Sequence, residues 1–469
     1  MKKRIKILLL LICGCSVGPK YQEPEVTFNT DYKNAEGAVE ENDPIAVPLN
    51  TWWEQFQDPV LTDLVQKAVE QNLDLLVAYQ RIQQVRAYYK IEASHLFPEI
   101  DFNGAITRYK ISENLDYSPF LGSAIQNLFQ MGFDASWEVD VFGKIQSLTN
   151  AALADLMATK EGYRSVYITL IADVCRNYTL FRSYEKQVRN LKRQVEIQTF
   201  QAKLNKDLSN SGLEPWNSFF SARAEIRALE AQIYPLETQM QLALNRMSVL
   251  LGEQPENFSI SSVGQIPLAK GRVPLGLPSD LLRRRPDIRE TERQLAAATN
   301  RVAASIAEFF PTFSLTGHYG WESTPFNQWL QSGSNNWSIA PSLSLPLINF
   351  GRIQAQVNAN TAIQKEVFLR YQNTILKALE EVENNLYTYL KQELKLTSIE
   401  LEYKDIYESY LLTDARFKAG LSPYGETLLA ELNLLQIELE VTQSTQVLSE
   451  SLIALYKSLG GDWECTNTP

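Results

Sequence analysis

The sequence predicts an α+β membrane protein whose chains must combine to build one β-barrel set on long helical hairpins. Three observations predict it. Runs of strict apolar/polar alternation have the length of membrane strands. Two long stretches without proline have the patterning of coiled coils. Both features occur twice, at one fixed spacing.

The spacing comes first because it orders the rest. Phe142-Gly143-Lys144-Ile145-Gln146 returns 208 positions later as Phe350-Gly351-Arg352-Ile353-Gln354. Gly212-Leu213-Glu214-Pro215 returns at the same offset as Gly420-Leu421-Ser422-Pro423, and Leu251-Gly252 as Leu459-Gly460. Agreement of separate landmarks at one period marks a tandem duplication of one structural unit. The expected organisation is a leader over 1–14, an extended arm over 15–50, a first repeat over 51–260 and a second over 261–469. Each repeat then consists of a helix, a strand pair and a long helical hairpin.

The chain opens MKKRIKILLLLICGC, a basic start followed by a short apolar run and a small residue before cysteine. This is the pattern of a cleaved signal peptide, too short to cross a bilayer as a helix. Its end resembles a lipobox, which assigns lipid attachment to Cys15, with Cys13 as the neighbouring alternative. The residues that follow, 16–24, are punctuated by Pro19 and Pro24 and read as an extended arm. No later stretch holds eighteen consecutive apolar residues, so a membrane crossing must be made by strands.

Three candidate strands alternate cleanly. Phe129, Met131, Phe133, Ala135, Trp137 and Val139 interleave with Gln130, Gly132, Asp134, Ser136, Glu138 and Asp140. Phe313, Leu315, Gly317, Tyr319 and Trp321 interleave with a polar set that includes His318. Trp337, Ile339, Pro341, Leu343 and Leu345 interleave with Asn336 and serines. A fourth candidate, 101–112, alternates poorly. Period two gives a sheet with one apolar and one wet face, and ten to twelve residues suits a tilted membrane strand. The loops over 113–128 and 323–335 are rich in Asn, Ser and Gly, as turns are. Four strands cannot close a barrel, and open edges cannot face lipid. Two chains would give eight strands and a filled bore, whereas three would give twelve and a passage. The expectation is a homotrimer with a twelve-stranded barrel.

Proline is absent from 143–212 and from 351–420. A continuous helix over either stretch would extend roughly 100 Å. Tyr167, Val174, Phe181, Val188, Val195 and Ala202 recur every seven residues. A second row holds Tyr163, Leu170, Tyr184 and Leu191, interrupted by Asn177 and Gln198. This is coiled-coil patterning, and its aromatic stripe is packing. Gly212 and Gly420 stand where left-handed caps end helices, with Pro215 and Pro423 opening the return. Arg283-Arg284-Arg285 precedes Pro286-Asp287, a helix start, so the run reads as ion pairing and capping.

The composition argues against other classes. Lys plus Arg is 44 against 55 for Asp plus Glu, a formal charge of −11. A chain so acidic has no general attraction for phosphate backbones, so nucleic acid is not an expected partner. With two histidines, four cysteines and no ligand-spaced pair, metal, redox and acid–base chemistry have little to work with, and neither enzyme activity nor a cofactor is expected.

Across nearly its whole length the chain resembles the TolC-like outer membrane factors, in particular the lipoprotein branch of RND-type efflux systems. The resemblance is carried by 17–24 (VGPKYQEP), Trp52-Trp53 with Phe56 and Asp58-Pro59, 137–144 (WEVDVFGK), 276–289 (GLPSDLLRRRPDIR), Phe309-Phe310-Pro311 and 455–463 (LYKSLGGDW). It implies a trimeric barrel above a helical tunnel in the periplasm. It further implies that the tip turns Gly212-Leu213 and Gly420-Leu421 meet a periplasmic adaptor bound to an inner-membrane pump such as an RND transporter. By position it assigns Glu426 to the pore constriction, with Leu429 where a second acid is common. The implied function is passive export of small molecules through the outer membrane. A duct for type I protein secretion shares this fold, and a coiled-coil lipoprotein linking envelope layers would share the leader and the heptads.

Overall fold

A computed structural model describes residues 17–26, 32–33, 49–110, 112, 125–260, 264–269 and 278–461. The leader, Cys13, Cys15 and Cys465 lie outside the described residues. The elements, after a short 3-10 stretch at Leu49–Phe56, are α1 (Pro59–Gln71), α2 (Leu73–Ser94), β1 (Glu99–Lys110), β2 (Ile125–Val139), α3 (Lys144–Asn210) and α4 (Trp216–Leu250). There follow α5 (Leu281–Arg284), α6 (Pro286–Ala307), β3 (Thr312–Ser323), β4 (Asn335–Ser344), α7 (Arg352–Lys418) and α8 (Tyr424–Ser458).

The repeat is written into the element bounds. α3 and α7 are each 67 residues, α4 and α8 each 35, and each pair starts 208 positions apart. The chain forms two compact units, one from Met1–Glu25, Arg81–Lys160 and Glu290–Gln372, the other from Val26–Gln80, Glu161–Arg289 and Asn373–Pro469. Each unit therefore draws on both repeats.

The first unit holds one antiparallel sheet in the order β1-β2-β3-β4. β1 is the poorly alternating candidate, and it lies two residues earlier than the sequence suggested. Its pairing with β2 is unbroken from Glu99↔Ser136 to Lys110↔Ile125. β2 accordingly begins at Ile125, inside the stretch expected as loop, because β1 gives those residues a partner. The apolar sets align across the sheet through Phe102↔Phe133, Phe133↔Tyr319 and Tyr319↔Trp337. In the same unit, Ala154, Ala296 and Ala297 cluster with Tyr21 of the arm, small residues that let α3 and α6 approach closely.

In the second unit, Asp58 caps α1 by accepting from the amides of Val60 and Leu61, with Pro59 at the first helical position. Trp52 stacks on Tyr456 with ring centroids 5.2 Å apart. α3 holds Val188 and Leu191 against Leu229 and Ile233 of α4. Its other side lies on α8, where Asn190 Nδ2 donates to the Leu435 carbonyl at 3.0 Å and Arg193 meets Glu431 at 2.9 Å. The heptad residues Val174, Phe181 and Val188 are buried, but so are Ile171, Cys175, Tyr178 and Arg182. A two-stripe seam is therefore too narrow a description of α3 here, because Asp58 and Gly264 also meet it, at Tyr178 and Arg182. Tyr178 donates to Asp58 at 2.7 Å, and Arg182 donates in turn to Tyr178 at 3.0 Å.

Candidate functional site

The tips are built by two matching caps. Gly212 and Gly420 take φ of +71° and +75°, the left-handed region that glycine enters without a Cβ penalty. Leu213 N–H donates to Leu208 O at 3.0 Å and Leu421 N–H to Arg416 O at 2.9 Å, five residues back in each case. That is the Schellman arrangement, which commonly tucks the leucine that follows glycine against the helix. Here both leucines are turned out, with Leu213 73% and Leu421 71% exposed. Pro215 and Pro423 sit at the N-cap positions of the return helices, one residue before the first helical turn.

The two turns are not alike in what surrounds them. Tyr424 rests between Phe417, 4.8 Å away, and Phe200 of α3, 5.5 Å away. The counterpart Trp216 instead joins Phe219 and Phe220, with Arg223 over both phenyl rings. Glu426 lies in the first turn of α8 and is exposed, as is Leu429 one turn on. The carboxylate is thus near the positive end of that helix and free to face a neighbour or solvent.

A polar chain crosses the wet face of the sheet. Asn103 donates to Asp134 at 2.9 Å, His318 Nδ1 lies 2.7 Å from Asp134, and His318 Nε2 lies 3.2 Å from Asn336 Oδ1. The strand patterning predicted the face; it did not single out His318 or Asp134. Their contact depends on register across β2 and β3.

The arm is tied down at separate points. Val17 N–H donates to Phe142 O at 3.1 Å, and Tyr21 OH bonds to Glu292. Burial, and then that bond, push the Tyr21 hydroxyl well above its ordinary pKa, so it stays a donor. Gly18 takes φ of +109° and a Cβ there would lie 2.8 Å from Ala303 Cα. Cys15 itself is outside the described residues. Of the arginine run, Arg285 is ion-paired, forked onto Asp287 at 2.8 and 3.1 Å while also reaching Glu381 and the Ser458 carbonyl, each at 2.8 Å.

Among the described residues no cluster of three metal-ligating side chains occurs, and no helix is long and apolar enough to cross a membrane. A sheet apolar on one face and polar on the other, with no further strand on β1 or β4 among the described residues and with helical hairpins following it, is a segment of a channel wall.

Comparison with known proteins gives the class its family. The family model described as outer membrane efflux protein matches the chain twice, over 64–253 and 277–461. The chain is 34% identical over 478 residues to the solvent efflux pump outer membrane protein SrpC of Pseudomonas putida, with 97% of each covered. It is 27% identical to the cation efflux system protein CusC of Escherichia coli O157:H7, again over 97% of each. It superposes on the outer-membrane channel OprN with a TM-score of 0.85 at 28% identity, covering 96% of this chain and 100% of that one. The open state of the Neisseria gonorrhoeae MtrE outer membrane channel gives 0.80 at 25% identity, over 95% and 98%. The chain belongs to the outer membrane efflux protein family. It is the outer-membrane channel component of an efflux pump, and its family is one of ducts.

Proposed function

We propose that three copies of this chain close one twelve-stranded barrel, forming the passive exit duct of a tripartite pump with no catalytic step of its own. The observation that carries this is the way in-chain seams leave matching seams unfilled. Phe142 packs on Phe310, with centroids 4.8 Å apart and the rings tilted by 32°. Its repeat counterpart Phe350 is 100% exposed, and Phe97, which precedes Pro98 as Phe310 precedes Pro311, is also exposed. A neighbour whose β1 continues β4 brings Phe97 to Phe350 and removes both open edges from lipid.

The helices repeat the argument. α8 lies on α3 through Arg193 and Glu431, whose counterparts Leu401 and Arg223 are exposed on α7 and α4. Arg182, Lys186, Arg189 and Arg193 become Leu390, Leu394, Thr397 and Leu401 at the 208-residue offset. The α7 wall of the seam between copies is therefore more apolar than the α3 wall of the seam within one, as suits a permanent interface.

Leu213 and Leu421 supply the docking points for a periplasmic adaptor, which joins the duct to an inner-membrane pump. Cys15, two residues before the bonded amide of Val17, carries the lipid that holds the arm to the outer membrane. The cargo belongs to the small-molecule class and is selected by the pump, since the relatives' names span solvents and cations over one duct fold.

Paired cysteines test the closure. In a Cys465→Ser background, Phe97→Cys with Phe350→Cys should give oxidised dimers and trimers in membranes, each single variant running as a monomer on denaturing gels once the trimer has been dissociated by boiling. Absence of any cross-link in a folded protein would end the reading.

A further inference from the structure

The sheet end remote from the helices carries a loop that the channel reading leaves unused. Residues 323–335 contain no Asp, Glu, Lys or Arg, yet hold Phe326, Trp329 and Leu330. The loop is built and not a bare turn. It contains short 3-10 segments at Phe326–Gln328 and Ser332–Ser334, and Ser334 Oγ donates to the Gln328 carbonyl at 2.7 Å.

Its direction is set by aromatic contacts. Phe326 and Trp329 lie 5.3 and 5.6 Å from the ring of Phe129, a member of the apolar set on β2. Phe129 pairs with Ser323, whose small side chain leaves room for them and bonds to the Pro325 carbonyl at 2.9 Å. The loop thus bends back over the apolar face, away from the face that carries Asp134 and His318. Trp329 Nε1 donates to the Trp321 carbonyl at 3.3 Å, so the indole has its polar atom satisfied. Phe326 and Leu330 remain 68% and 66% exposed even so.

We propose that this loop is a lipid anchor, inserting Phe326 and Leu330 into the outer-leaflet interface with Trp329 at headgroup depth. The occupant of this surface is membrane lipid. The patch continues the apolar strand face, it has no charge to desolvate, and amphipathic aromatic rings favour this depth. Gln331 and Asn335 donate within the chain, to the Asn327 and Gly320 carbonyls, which leaves their amide oxygens and the Asn327 side chain as neutral polar groups for the headgroup layer. The inference rests on the reading that the apolar strand face meets lipid.

The test uses the assembled protein in nanodiscs of phosphatidylethanolamine and phosphatidylglycerol, in a Cys465→Ser background. Spin labels are placed by Leu330→Cys and, separately, by Ile339→Cys on the apolar face of β4. Collision rates with oxygen, which concentrates in lipid, are compared with those of a water-soluble nickel chelate. Both labels should prefer oxygen severalfold. A label at 330 that prefers nickel while the label at 339 prefers oxygen overturns the anchor and makes the loop a solvent-exposed lid. Preference for nickel at both positions sinks the lipid-facing assignment of the sheet and the anchor with it.

Discussion

Gly132 and Gly320 face each other on β2 and β3 so closely that a Cβ on either would come within 2.9 Å of the other's Cα. The same added atom would lie 2.9 Å from the His318 ring, at Cε1 from Gly132 and at Nε2 from Gly320. The glycine pair is the slot in which the imidazole bridges Asp134 and Asn336. Gly320→Ala should therefore destabilise the assembled barrel by ~1–3 kcal/mol, the usual penalty of overpacking. Heat-stable migration of the trimer measures it. His318→Ala should restore only part of the loss, because Met131 O would still lie 2.5 Å from the new Cβ. Full rescue would mean the backbone contact is slack.

Arg285 joins the start of α6 to α7 and to the end of α8 through Asp287, Glu381 and the Ser458 carbonyl. Arg285→Ala removes one donor from that carbonyl and from two half-exposed carboxylates, of which Asp287 keeps the Ile288 amide. A loss of about 1–3 kcal/mol is expected in urea unfolding followed by helical circular dichroism. Arg285→Lys should recover little, since one ammonium cannot replace a planar fork.

Gln198 was visible in the sequence as a polar interruption of the heptad row, and in the structure its Oε1 is buried without a hydrogen-bond partner. Gln198→Leu should raise stability by ~1 kcal/mol, because it removes a desolvated oxygen and adds apolar surface. Thermal unfolding in detergent reads the shift. A lowered midpoint would show that this oxygen has a partner in the assembled protein.

Glu426 is exposed in the first turn of α8, so its stabilising effect is limited to about 0.3–1 kcal/mol from the helix dipole. Glu426→Ala should lower the cation selectivity of reconstituted channels while the unfolding midpoint hardly moves. Unchanged selectivity removes this carboxylate from the constriction.

Leu213→Asp and Leu421→Asp place charge on the two exposed tip leucines without touching the caps beneath them. Trimer yield should be unaffected and export in cells should fall, more for the double variant than for either single one. Full export by the double variant would remove these side chains from the adaptor contact.

The sequence by itself determined the duplication, the helix lengths, the tip glycines and the two-faced character of the strands. Each of these depends on residues near one another in the chain, on proline absence, on periods of seven and two, or on a left-handed cap. Even β1, whose own alternation is poor, needed only its partner β2 to become a strand. What the tertiary structure alone decided lies across long separations. His318 meets Asp134 only because β2 and β3 pair in one register, and a slip of one residue would put them on opposite faces. Tyr178 and Arg182 look like unremarkable helix residues until Asp58 arrives from 120 positions away. Arg285 gains its purpose from Ser458, 173 positions on. Side-chain pairing of this kind has no local signature, because the free energy that favours it exists only once distant backbones have been brought together.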